Sequence, residues 1–148
     1  MDVLAENRKA RFNYEILETF QAGLSLQGPE VKSARLGRMQ LAGSYAVFKG
    51  HELSLVGSTI PPYQPNNTPS NYKPERSRKL LLNKKELLRL SGKVKERGLT
   101  LVPLKVYSTE AGKIKLEIGL AKGKKKWDKR EALKKREADR EIKRALRG

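Results

Sequence analysis

The sequence predicts a mainly β domain with about two to three helices, its short strands closed into a small antiparallel barrel, followed by a disordered basic tail. Three observations predict this. Short runs rich in β-branched and aromatic residues, bounded by turn residues, recur along much of the chain. Two segments carry helix-start chemistry. The last stretch, AKGKKKWDKREALKKREADREIKRALRG, loses its apolar periodicity while its charge climbs. The expected division is a folded domain over 1–121 and a tail over 122–148.

Taken in order, ENRKARFNY is a basic arm in which Arg8, Lys9 and Arg11 lie beside Phe12 and Tyr14, offering phosphate contacts next to stacking surfaces. YEILETF, with Tyr14, Ile16 and Phe20 at even spacing, predicts a strand that turns near Ala22-Gly23 and resumes in LSLQ. In GPEVKSARLGR, Pro29 pre-sets a first helical turn and Glu30 suits the positive end of the helix dipole. Gly37 can stop that helix, with Val31 and Ala34 facing inward. SYAVFK and HELSLVGST form a hairpin around Lys49-Gly50-His51, with His51 exposed at the turn. IPPYQPNNTPSNYKPERSR is rich in Pro, Asn and Ser and reads as a long surface loop.

In KLLLNKKELLRLSGKVKERG, Asn83 followed three residues on by Glu86 matches a capping box, so 80–82 stay extended and a helix begins at Asn83. Leu87, Leu88, Ser91 and Val94 are its expected buried face, and Gly98 its end. LTLVPLKVY and KIKLEIGLA are strands joined across 108–112. The second alternates Ile114, Leu116, Ile118 and Leu120 with polar or small residues, and Pro103 marks the first as an edge or bulged strand. Short antiparallel strands with inserted helices point to a barrel of the oligonucleotide-binding type, in which closure removes the edges.

Charge points to the partner. The 148 residues hold 33 Lys or Arg against 16 Asp or Glu, a formal net charge of +17. From Lys122 onward there are 13 basic residues against 5 acidic ones, so about half of the excess sits on the tail. On a helical wheel Lys125, Lys129, Arg136, Arg140, Lys143 and Arg147 fall in one stripe, whereas Trp127, Ala138, Ile142 and Ala145 lie roughly opposite. Such a helix has little to dock on a core and is near the length at which isolated helices are marginal, so it is expected to be disordered alone and helical on a polyanion. Nucleic acid is the first partner implied and an anionic membrane the second. The tail argues against membrane, because a surface-seeking helix needs a strong apolar face.

No chemistry is expected. Zero Cys and the single His51 leave no metal site, and the apolar run Val3, Leu4, Ala5 is neither a signal peptide nor an anchor, which implies a soluble, cytoplasmic protein. GKVKERG and GLAKGKK have the wrong spacing for a phosphate loop. No Ser elbow, Cys nucleophile or carboxylate cluster occurs, so neither a catalytic residue nor a cofactor is predicted.

NRKARFNYEI, AGLSLQGPEVKSARLGR, LAGSYA, RSRKLLLNKKELLRLSGKVKERGLTLVPLKVY and GLAKGKKKWDKRE, in this order and spacing, closely resemble the small protein B family, the SsrA-binding proteins of bacteria. The resemblance covers essentially the whole chain. It implies a non-enzymatic protein of trans-translation and ribosome rescue that binds the tRNA-like domain of transfer-messenger RNA (tmRNA). With elongation factor Tu, held indirectly through the RNA, such proteins deliver it to ribosomes stalled on truncated messages. There the tail would probe the empty mRNA channel of the 16S rRNA near the decoding centre.

By that resemblance the RNA-binding face includes Asn7, Lys9, Arg11, Gln21, Leu81 and Asn83, with Glu30 and Lys32 from GPEVKS; Glu30 reads equally as a helix-start residue alone. Lys122, Lys124, Lys125, Asp128, Lys129 and Arg130 match the family's tail motif. Gln21 stands where relatives have Glu, Phe12 where some have His, and Trp127 where His or Tyr is common. Trp127 beside Lys and Arg is suited to stacking on an unpaired base. The other reading of the residues is a general RNA-binding or ribosome-assembly protein.

Overall fold

A computed structural model of the chain describes residues 2–96, 98–124, 136–138 and 140–144. Strands β1 (Asp2–Glu6), β2 (Tyr14–Leu24), β3 (Tyr45–Lys49), β4 (Glu52–Val56), β5 (Arg78–Leu81), β6 (Leu99–Ser108) and β7 (Ile114–Gly123) form one seven-stranded sheet. Its order is β1-β6-β3-β4-β5-β2-β7, and β7 pairs back onto β6, so every strand but β1 belongs to a closed ring. All the pairings are antiparallel. Within the described residues up to 124, the α-helices α1 (Ala10–Asn13), α2 (Gly28–Arg35) and α3 (Lys84–Val94) accompany the sheet.

Alternation in the strands decides which side chains fill the ring. Phe20, Ala22 and Leu24 of β2 meet Leu116, Ile118 and Leu120 of β7, with Leu53, Leu55, Leu80, Leu101 and Val106 completing the interior. Ala34 of α2 and Leu90 of α3 are buried against the same cluster. A smaller apolar cluster lies on the opposite face of β6 and β7, where Ala10 of α1 covers Val102, Leu104 and Ala121. Gly119 lets this outer layer close: a Cβ there would lie 3.1 Å from Ile16 and 3.3 Å from Leu104.

Most expected elements are present. α2 starts behind Gln27 with the capping box Gln27/Glu30, and Gly37 follows it at φ 75°. The hairpin turns through Gly50-His51 with Gly50 at φ 64°, the left-handed conformation that a two-residue turn needs. Asn83 Oδ1 accepts the Glu86 N–H at 2.8 Å and caps α3. Pro103 sits where the β6–β7 register slips, the bulge expected of it.

Three expectations are corrected. β1 was not expected; it pairs with β6 from Asp2↔Ser108 to Glu6↔Lys105. β2 does not turn at Ala22-Gly23, because Gly23 there serves close packing: it faces Leu81 across the ladder, and a Cβ on it would come 3.2 Å from Leu81 Cβ. In α3 the buried stripe is Leu87, Leu90 and Val94 at i, i+3, i+7, so Leu90 is fully buried and Leu88 is 63% exposed.

β7 runs to Gly123, just past the expected boundary at 121, and the Lys124 N–H donates to Asn13 O at 3.1 Å. Of the tail, 136–138 and 140–144 are helical and exposed. Lys125, Trp127, Asp128, Lys129, Arg130 and Arg147 lie outside the described residues, as does the expectation that the tail is disordered when free.

Candidate nucleic-acid interface

The predicted RNA-contact residues divide between an open face and a closed cluster. The open face is the outer side of β2, β7 and β6, where the side chains not used by the core project outward. Gln21 of β2 stands opposite Glu117 of β7, and Glu117 opposite Lys105 of β6. Gln21 Nε2 donates to Glu117 Oε2 at 3.3 Å, while its Oε1 accepts the Tyr107 hydroxyl. Burial and the neighbouring Glu117 charge both raise the Tyr107 pKa, so this phenol stays protonated and donating.

Cations converge on the same carboxylate. Lys105 Nζ is 3.8 Å and Arg11 Nη2 4.0 Å from Glu117, the Arg11 side chain remaining 66% exposed. The arm that carries Arg11 is held on β6, since the Asn7 N–H donates to Leu104 O at 2.8 Å and Asn7 Nδ2 to Pro103 O at 3.0 Å. Asn7 thereby positions Lys9 and Arg11, both exposed. Tyr14 is half-buried against the outer apolar cluster, and Phe12, half-buried, has the Arg136 guanidinium 5.4 Å from its ring centroid.

Leu81 is 51% exposed and lies beside Gly23, two residues along the strand from Gln21, so it shares the outer face. Asn83 is exposed at the N-terminus of α3, where its Oδ1 is committed to the cap and its amide nitrogen is left to face outward contacts. Lys122 is exposed near the end of β7 and Lys124 half-buried beside Asn13. Arg140 and Lys143 are exposed on the helical tail residues. The sequence reading missed Tyr107, Lys105 and Glu117. The alternation of KIKLEIGLA put Glu117 on the outer phase, but nothing in the sequence showed which strands would flank it.

Glu30 belongs to the closed cluster and is not presented on the open face. It is 1% exposed, and Arg78 is 0% exposed. Arg78 Nε and Nη2 donate to Glu30 Oε2 at 2.9 and 2.7 Å, Arg76 Nε donates to the same oxygen at 3.0 Å, and Arg76 Nη2 donates to Oε1. The Gln27 N–H takes Oε1 at 2.9 Å. Burial by itself would raise this carboxyl's pKa, but the hydrogen bonds from Arg76, Gln27 and Arg78 outweigh it and hold the group below the usual carboxylate range. Its oxygens are taken up within the protein, so Glu30 starts α2 and ties it to Arg76 and to Arg78 at the start of β5. Lys32, two residues on, is exposed, its Nζ 5.5 Å from the Tyr63 ring centroid.

Comparison with known proteins decides the family. The family model described as SmpB protein matches residues 4–148. The chain belongs to the SmpB family. It is 53% identical over 146 residues to the SsrA-binding protein of Agrobacterium fabrum, an alignment covering 99% of this chain and 91% of that protein. With the SsrA-binding protein of Carboxydothermus hydrogenoformans it shares 53% identity over 145 residues, 98% of this chain and 96% of the relative. A solved structure described as "tmRNA-SmpB: a journey to the center of the bacterial ribosome" superposes with a TM-score of 0.69 at 51% identity, covering 90% of this chain and 95% of that one. No helix among the described residues is long and apolar enough to cross a membrane.

Proposed function

We propose that this SmpB-family chain binds the tRNA-like domain of tmRNA with the outer face of β2, β7 and β6 and carries it to ribosomes stalled on truncated messages. The observation that carries this reading is the convergence of Arg11, Gln21, Lys105 and Leu81 on one solvent-facing surface of a ring of strands, with the buried Tyr107 hydroxyl donating to Gln21. The closed order of pairings supports a barrel of the oligonucleotide-binding type, a fold whose strand face suits RNA. A-form grooves deny side chains easy access to base edges, so such a face reads shape, the 2′-hydroxyls and unpaired bases. Exposed cations supply phosphate contacts, the exposed Leu81 supplies apolar surface for a base, and the Gln21 amide supplies a donor and an acceptor. The chain acts by binding, in the cytoplasm, where the ribosomes are.

The basic tail takes the second step. Its charge suits a channel lined with ribosomal RNA phosphate, and a message already in that channel would exclude it, so the tail tests for vacancy. Removing the residues after Gly123 is expected to leave the fold and the affinity for tmRNA within about twofold of the full chain while abolishing peptide tagging on stalled ribosomes. Full tagging by the truncated chain, or its failure to fold, would sink the proposal. Equal affinity of the full chain for tmRNA and bulk tRNA would replace it with general RNA binding.

A further inference from the structure

On the far side of the Glu30 cluster lies a cavity of about 660 Å³ between the start of α2 and the segment 61–76, a size within the usual range for a bound small group. Lys32, Lys73 and Arg76 line it together with the rings of Tyr63 and Tyr72, and no carboxylate does. Its walls are held from behind. Tyr72 OH donates to Ile60 O at 2.7 Å, Arg38 Nη1 donates to Tyr63 O at 3.2 Å, and the Arg76 guanidinium is fixed on Glu30 while its side chain stays 30% exposed. Lys73 forms no ion pair among the described residues, and Lys32 only rests over the Tyr63 ring. Cations without a partnering acid, beside aromatic faces and flanked by side-chain amides such as Gln64 and Asn67, are the chemistry that takes an unpaired nucleotide: base on ring, phosphate on lysine.

The groove continues the open face. The β2–β5 ladder passes from Gly23↔Leu81 through Leu24↔Leu80 to the Ser25 N–H on Lys79 O, and then delivers Gln27 and Arg76 to the groove's rim. Four residues of extended chain from Gly23 to Gln27 span about 14 Å, a distance that one RNA lying on the outer face can bridge.

We propose that the groove between α2 and segment 61–76 is a second contact for tmRNA, holding one of its unpaired nucleotides with the base against Tyr63 and the phosphate between Lys32 and Lys73. The inference rests on the outer face being an RNA site, and its test separates the two. In the full chain, Tyr63→Ala with Lys73→Ala is expected to lower the affinity for a tmRNA transcript by about five- to a hundredfold. Its salt slope is expected to fall by about 1. Tyr63→Phe with Lys73→Arg should retain binding within about twofold. Far-ultraviolet circular dichroism and melting should match the parent chain for both variants, since both side chains are on the surface loop. A double alanine variant with parental affinity and slope, alongside a Leu81→Ala/Asn83→Ala variant that binds weakly, overturns the groove and keeps the face. Parental affinity in both overturns the face and the groove with it. Unchanged tmRNA affinity with lost tagging on stalled ribosomes also overturns the proposal, by moving the groove onto ribosomal RNA.

Discussion

Two glutamates each meet two cations, and the way they do so separates scaffold from surface. Glu30 is sealed: its side chain is 0% exposed, Arg78 sits 2.7 Å away and equally buried, and every oxygen lone pair has a donor from Arg76, Arg78 or the Gln27 backbone. Glu117 is less enclosed: its side chain keeps 16% exposure, and Lys105 and Arg11 stand off at 3.8 and 4.0 Å. A saturated buried pair cannot exchange partners, since removing one member strands a charge in a poor solvent. A loose pair at the surface keeps its cations in place and gives them up to a phosphate at little cost. Each cluster sets two cations on one carboxylate; solvent access makes one a lock and the other a candidate contact surface.

The largest expected effect tests the lock. Arg78→Met leaves the Glu30 carboxylate buried beside fewer donors and should destabilise the fold by about 3 to 5 kcal/mol, read from the midpoint of urea unfolding. A loss below about 1 kcal/mol would erase the distinction between the two clusters.

A second measurement uses pH. The Glu30 pKa is lowered in the folded state from an ordinary 4.5, so its stabilisation is fully present above that value and is lost as pH falls through the folded pKa. Glu30→Gln should therefore flatten the acid limb of stability against pH between about 5 and 3. An acid limb as steep as that of the parent chain would mean that other carboxylates carry it.

The arm is tested next. If the face neutralises about five phosphates, log affinity should fall with log salt at a slope of roughly −3.5 to −4.5, and Lys9→Ala with Arg11→Ala should make it shallower by up to about 2. Stability should change by less than about 0.5 kcal/mol, because neither side chain is buried. The smallest effect is expected at Glu117→Gln. It should cost less than about 1 kcal/mol of stability, and freeing Arg11 and Lys105 should hold or raise RNA affinity. Tighter unfolding coupling than this, or weaker RNA binding, would place Glu117 with Glu30.

How much of this was legible in the sequence follows the range of the interactions. α2 and the start of α3 are written locally, in Gly28-Pro29-Glu30 and in Asn83 with Glu86, and both elements are where those residues put them. The interior of β7 follows from its alternation. Gly23 was misread because a glycine that makes room for a neighbour and a glycine that turns the chain look alike until the neighbour, Leu81, is known. The three leucines 87, 88 and 90 fit more than one helical stripe, and only the position of the ring under α3 selects Leu90. Arg78 reads as one more cation in a basic run, and its burial needs a carboxylate 48 residues away. At the candidate site, the resemblance supplied Gln21 and Leu81, but Tyr107 and Lys105 became visible only with the pairing of β6, β7 and β2.

The closed order of the ring has a consequence in time. β2 meets β7 from Tyr14↔Gly123 to Gly23↔Lys115, so one of the earliest strands to be synthesised waits for the last. Local helices and the β3–β4 hairpin can form as soon as they are made, whereas this seam requires loop closure across most of the domain, the kind of contact that slows folding to milliseconds or longer. Until then β2 carries an unpaired edge along nearly its whole length, open to pairing with another chain. The same seam that builds the proposed RNA face therefore makes the unfinished chain vulnerable, and completion of β7, immediately before the basic tail, is the event that ends the exposure.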